Sequence, residues 1–309
     1  MANPDEQAAR ESILQRLASD PERYLREYTK QFGNVLNADN AATLFDEYNA
    51  DRAKFRDAVH PAAQWIRDEL FQRALGEKPD TGKNRVVFTA GSNAAGKSTA
   101  LSFSGAREAA QAVFDSTFAS PQHAQRLIDQ ALAAGKPITI HYVRRPLEDA
   151  FDGMLERGER EGRLVSIDQI INSDRGAAET VRSLWRKYGQ DPVFQFRFLD
   201  NSAEVPELSD IELASPRDYT EIRKALNERL DAEYRFGRIT EHQYRRIRGR
   251  GDTGEPSGGG PRSAGGSGWS PQTGPGKGSP EAPSPESASS LSTDKHAINR
   301  DGIARAEGR

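Results

Sequence analysis

Cysteine is absent from the 309 residues, which rules out disulfides and thiolate metal sites. Histidine is scarce too: the five scattered residues contain no His-x-x-x-His pair, so a structural zinc fails on ligands alone. No hydrophobic run approaches the length of a membrane span. The N-terminus, Met1-Ala2-Asn3-Pro4-Asp5-Glu6, lacks the basic and then apolar pattern of a signal peptide, so the cytoplasm is the expected compartment. Charge of one sign is also missing in bulk. A net charge of −3 argues against wholesale nucleic-acid or membrane binding.

What is present begins with residues 86–104. Val86 to Ala90 reads as a buried strand, Gly91-Ser92-Asn93-Ala94-Ala95-Gly96-Lys97-Ser98 as a complete Walker A phosphate cradle, and Thr99 to Phe103 as the helix that follows. Glycines let the backbone fold back so that successive N–H groups point into an anion-sized hollow. The helix adds the positive end of its dipole, Lys97 can reach the β- and γ-phosphates, and the Ser98 hydroxyl can ligate Mg²⁺. ATP and Mg²⁺ are the implied ligands, with Gly91 through Thr99 as the binding stretch.

Around this motif three zones separate. Residues 5–76 are helical by pattern, with Leu44, Phe45, Tyr48, Phe55, Val59, Trp65, Ile66, Leu70, Phe71 and Leu75 at three- and four-residue steps and Pro61 opening the last helix. One short apolar piece, Gly33 to Asn40, interrupts them and is placed to add a brief strand to a neighbouring sheet. From 84 to about 202, strands at Arg85–Ala90, Gln111–Phe114, Ile138–Val143 and Phe194–Leu199 alternate with helices, one of them stopped by Gly135. That order predicts an α/β fold: a mainly parallel sheet with helices on both faces, the P-loop NTPase three-layer sandwich. Leu226, Leu230, Tyr234, Ile239 and Tyr244 make a helix-turn-helix stripe around Gly237 that ends in a basic run. Beyond residue 250 Gly, Ser and Pro dominate, and residues 251–309 are expected to be disordered.

Phosphoryl transfer requires a metal-organising acid, a carboxylate for the acceptor's proton, and cations on the migrating group. Asp115 ends an apolar strand, where open α/β sheets place ligand-contacting side chains; a turn or cap role for the Ser116-Thr117 loop is the alternative. Asp39 occupies a similar position after Val35-Leu36, and could equally be a helix cap. Arg144 and Arg145 follow the third strand directly, while Arg157, Arg160 and Arg163 line a charged, Gly-containing stretch. That stretch reads either as a solvated face or as a lid over phosphates.

Ile138 to Pro146, Met154-Leu155-Glu156-Arg157, Glu161-Gly162-Arg163-Leu164-Val165 and Phe198-Leu199-Asp200-Asn201-Ser202 together resemble the zeta toxin family of P-loop kinases, over roughly 33–202. The resemblance implies phosphorylation of a hydroxyl of UDP-N-acetylglucosamine, action as a toxin, and restraint by an antitoxin protein. It carries Lys97 and Ser98 over as triphosphate and Mg²⁺ residues, and Arg157 and Arg163 as the pair on the γ-phosphate. Asp115-Ser116-Thr117 resembles the family's acid-Gly-Thr motif, which makes Asp115 and Thr117 substrate-binding. The Asp-x-Asp-like segment expected after the P-loop helix does not fit in Leu101 to Gln111. A similar segment, Asn37-Ala38-Asp39-Asn40-Ala41-Ala42, precedes the P-loop instead, so the family elements read as permuted. Asp39 becomes the favoured general base, although Ala42 stands where related sequences often have Arg. The implied organisation is N-terminal helices over 1–32, a kinase domain over 33–215, a helical appendage over 216–250 and the tail. A polynucleotide kinase and a non-catalytic ATP-binding switch remain the rival readings.

Overall fold

The computed structural model describes residues 4–79, 82–161, 164–203 and 207–249, the side chains of residues 103 and 159–161 excepted. The tail from 251 and Arg163 lie outside the described residues. The chain opens with α1 (Pro4–Ser19) and α2 (Pro21–Phe32). α2 starts where Asp20 accepts the Arg23 N–H at 3.1 Å and Pro21 pre-sets φ. It stops at Gly33, whose φ of +62° suits a residue without Cβ. Next come β1 (Val35–Leu36), α3 (Ala38–Ala42), α4 (Asp46–Ala50) and the long α5 (Arg52–Gly76). Pro61, expected to open a helix, instead lies inside α5, whose true start is the Asp51 cap accepting the Lys54 N–H at 2.9 Å. A local cap outranked proline's preference for a first turn.

The remaining elements alternate as anticipated: β2 (Arg85–Ala90), α6 (Lys97–Ser104), α7 (Ala106–Ala109), β3 (Ala110–Phe114), α8 (Pro121–Ala133), β4 (Ile138–Arg144), α9 (Leu147–Glu161), α10 (Ile167–Tyr188) and β5 (Phe194–Asp200). β6 (Glu207–Ser209), α11 (Tyr219–Arg235) and α12 (Glu241–Arg248) complete the described chain. The sheet runs β1-β3-β2-β4-β5-β6 and is parallel except for β6, which pairs antiparallel with β5. β1 therefore does join the sheet, at the edge beyond β3.

Side-chain alternation assigns the layers. Phe88 and Phe114 pair in register, and Phe71 of α5 packs edge-on against both, at 5.8 and 5.1 Å between ring centroids. On the opposite face Val87 and Val113 pack with Leu101 of α6. Trp185 of α10 covers Phe196 and Phe198 on the α5 face, whereas Ala95, Ala100, Val143 and Leu199 close the α6 face. The result is the α/β three-layer P-loop architecture with a helical N-terminal segment. A second core joins Phe151 and Met154 of α9, Ile167 and Ile170 of α10, and Leu226 and Leu230 of α11, so the helices after residue 216 bury their stripe against the sheet-covering layer. Truncating a fully buried ring such as Phe71 would cost about 3–5 kcal/mol.

Candidate active site

β2 delivers the chain into the cradle at Gly91, φ +140°, where an added Cβ would lie 2.2 Å from the Val143 carbonyl oxygen. Only glycine fits that approach. Ala94 takes a left-handed φ of 64°, a conformation that costs a non-glycine residue about 1 kcal/mol. Two supports hold the loop around it. Ser173 of α10 accepts the Asn93 N–H at 3.1 Å, and Asn201, just past β5, donates from Nδ2 to the Ala95 carbonyl at 2.8 Å. Gly96 takes φ +83°, a conformation that favours glycine, and a Cβ there would displace the Asn201 amide, 2.2 Å away.

α6 starts at Lys97, which is half-buried and donates to the carbonyls of Ser92 at 2.9 Å and Gly91 at 3.3 Å. Burial pushes its ammonium below the ordinary lysine value; Asp115 opposes that shift, Arg157 reinforces it and Asp39 again opposes it. Lys97 therefore feels both candidate acids and the candidate lid cation. The side chains of Ser98 and Thr99 are exposed at the mouth of the same cleft, which encloses about 920 Å³.

The facing wall is organised by Asn37. Its Oδ1 accepts the N–H groups of Asp39 at 2.7 Å and Asn40 at 3.3 Å, capping α3, and its Nδ2 donates to Asp115 Oδ2 at 2.7 Å. The other Asp115 oxygen accepts from Thr89 Oγ1 at 2.7 Å. Beneath them the buried Tyr28 hydroxyl donates to the Val35 carbonyl at 2.7 Å and accepts the Asn37 N–H at 2.8 Å; burial pushes its pKa up to about 12. Asp115 is thus buried with both oxygens occupied, whereas Asp39 is half-buried and lines the cleft. Thr117 lines it as well.

The downstream arginines separate. Arg157 and Arg145 line the cleft, with Arg157 Nε donating to the Gly153 carbonyl at 3.4 Å. Arg144 does not reach it: the guanidinium is buried, donates to the Leu213 carbonyl and lies 3.9 Å from the buried Asp174. Arg56, His60 and Arg67 of α5, and Arg107 of α7, also line the cleft and were missed from sequence. Arg56, His60 and Arg67 are spaced by four and seven residues, which puts them on one helical face, and that spacing was the available signal.

Residues 106–197 match the family model described as Zeta toxin. The resemblance drawn from sequence therefore holds from α7 into β5, and the P-loop lies just upstream of the matched stretch. Among solved structures, the native AvrRxo1-ORF1:-ORF2 complex is similar at 12% identity and a TM-score of 0.35, covering 50% of this chain and 66% of that one. The AvrRxo1-ORF1:-ORF2 structure with ATP is similar at 14% identity and a TM-score of 0.35, covering 58% of this chain and 75% of that one. No curated protein matches. A P-loop α/β fold continued by a zeta-toxin-like segment defines the class.

Proposed function

We propose that the protein is an ATP-dependent kinase that transfers the γ-phosphate to a hydroxyl of a small molecule, of the nucleotide-sugar class that includes UDP-N-acetylglucosamine. One observation carries the reading: Asp39, Lys97 of the P-loop and Arg157 line the same cleft. An acid, a phosphate cradle and a lid cation in one cleft are the parts that phosphoryl transfer needs.

In the proposed step the acceptor oxygen forms its bond to the γ-phosphorus as the bond to the β,γ-bridging oxygen breaks, and the acceptor's proton goes to a carboxylate oxygen of Asp39. ADP leaves with the bridging electron pair. Lys97 holds the β- and γ-phosphates, while Arg157 and, by the resemblance, Arg163 hold the migrating group. Asp115 and Thr117 position the acceptor. The exposed Ser98 hydroxyl in the first turn of α6 is an oxygen donor of the kind Mg²⁺ prefers. Among the described residues no group of three or more His, Asp or Glu side chains is clustered for a metal. Bound beside Ser98, Mg²⁺ would supply charge neutralisation to the phosphates.

The family match supports a toxin of the kind restrained by an antitoxin protein, and the proposed acceptor would be met in the cytoplasm. No described helix is long and apolar enough to cross a membrane. The purified protein, given γ-labelled ATP with UDP-N-acetylglucosamine and separately with a metabolite extract, should label a small molecule. ATP bound but never consumed with any acceptor, or label confined to nucleic-acid ends, would overturn the proposal.

A further inference from the structure

We propose that Arg145 is a further cation on the γ-phosphate of the nucleotide, and that Arg217, just before α11, is its positioning residue. The inference rests on the kinase reading and goes beyond it, because it makes residues 217–219 part of the site rather than an appendage. Arg145 follows β4, which flanks β2 on the side opposite β3 and β1. Since β3 and β1 lead to Asp115 and Asp39, the acids lie to one side of the P-loop strand and Arg145 to the other. Two residues before it, the Val143 carbonyl oxygen lies 2.2 Å from where a Gly91 Cβ would be, which sets Arg145 beside the cradle. Arg145 is half-buried, lines the cleft and makes no ion pair among the described residues. Its Nη1 lies 3.5 Å from where a Gly153 Cβ would be, and Arg157 Nε donates to the carbonyl of the same glycine at 3.4 Å. Both arginines thus converge on one residue of α9. A partly buried cation without a counter-charge is stabilised by an anion that arrives with a ligand, and a phosphate fits the guanidinium fork.

What fixes Arg145 comes from elsewhere in the chain. Arg217 Nη2 donates to the Arg145 carbonyl at 2.9 Å, and its Nε lies 3.8 Å from Asp174 of α10. Asp174 is buried and accepts from the Tyr219 hydroxyl at 2.9 Å, while its neighbour Ser173 accepts the Asn93 N–H of the P-loop. One short piece of α10 therefore holds the cradle directly and Arg145 through Arg217. The Arg145 carbonyl belongs to the peptide that enters Pro146, where the chain turns from β4 into α9 and where proline already narrows the backbone of the preceding residue. Holding that carbonyl restrains both the Arg145 side chain and the entry of the helix that bears Arg157.

The test is nucleotide affinity, measured by titration on the full chain and compared between ATP and ADP, since only ATP carries the γ-phosphate and no acceptor is needed. Arg145→Gln should weaken ATP binding about tenfold or more and leave ADP near its wild-type value. Arg217→Gln should give a smaller loss of the same kind, about threefold, and Arg217→Lys should restore it in part, because an ammonium still donates to the carbonyl. Tyr219→Phe removes a donor from Asp174 without touching Arg145, so it should lower the melting temperature and keep the ATP-to-ADP ratio. An unchanged ratio in Arg145→Gln or in Arg217→Gln overturns the inference. Equal losses for both nucleotides, or a change of ratio in Tyr219→Phe as large as in Arg217→Gln, overturn it too, and all these outcomes leave the kinase reading standing. If the wild-type chain binds neither nucleotide, the kinase reading itself fails and takes the inference with it.

Discussion

On one side of the cleft the lining comes from consecutive residues, 93–99, fed by Gly91, where the Val143 carbonyl leaves room for nothing but glycine. The rest of the lining, Asp39, Arg56, Arg107 and Asp115 among it, is gathered from separate elements. The first wall is a local object, specified within a few residues. The second exists only because β1 docks at the sheet edge beyond β3. A wall specified by one short motif suits a ligand shared by many proteins, whereas a wall of collected side chains is where a particular acceptor can be selected.

The largest expected effect tests whether the first wall is catalytic at all. Lys97→Ala should lower phosphoryl transfer at least about a thousandfold, equivalent to about 4 kcal/mol of transition-state stabilisation, with the melting temperature nearly unchanged. Near-normal transfer by a folded Lys97→Ala protein would sink the P-loop assignment. Next comes the facing wall: Asp39→Asn should reduce kcat about a hundredfold or more while ATP binding, followed by titration, is retained. A variant with full kcat would remove Asp39 from the chemistry and pass the base role to Asp115.

A third prediction concerns the frame that both walls share. His141 is buried in β4, its Nδ1 has no hydrogen-bond partner, and burial lowers its pKa to about 4. Because the unfolded chain binds this proton near pH 6.5 and the folded chain only near 4, the contribution is complete above 6.5 and is lost as pH falls between those values. The group accounts for about 3 kcal/mol. Denaturant titrations across that window should show the slope, and His141→Gln should flatten it; an unchanged slope would assign the acid sensitivity elsewhere. The smallest effect separates the two acids. In Asp115→Asn the amide oxygen can still accept from Asn37, but the charge on the acceptor is lost and Thr89 must turn its hydroxyl proton to the Ser116 carbonyl, 3.0 Å away, to accept from the new NH₂. A loss of about 1 kcal/mol is expected, or about 2–4 °C in Tm, together with weaker acceptor binding. An Asp115→Asn protein as stable as wild type would mean that the charge on this acceptor is dispensable.

Legibility in the sequence followed the same division. The strand–loop–helix of residues 86–104, the alternating order to β5 and the resemblance after residue 106 are written in short-range patterns, and they appear in the structure where expected. The brief strand before Asp39 was also readable, because its apolar pair is flanked by turn residues. β6 was not: three exposed residues, Glu207–Ser209, have no alternation to reveal them, and only pairing with β5 makes them a strand. Arg144 looked identical to Arg145 in sequence, and strand alternation sent one to Asp174 and the other to the cleft. Arg107 carries no such signal, since only the fold brings α7 to the cleft.

The double engagement of Asn37 has a consequence for how such a protein could change. One amide caps the helix that bears Asp39 and restrains Asp115, while the Tyr28 hydroxyl fixes its backbone from below. Neither acid can be relocated alone without disturbing the other. A lineage acquiring a new acceptor would therefore keep the segment from Tyr28 to Asn40 as one inherited block and vary the cations of α5 and α7 around it. Specificity in this fold would drift through charge on a fixed pair of carboxylates, and the nucleotide half would stay as it is.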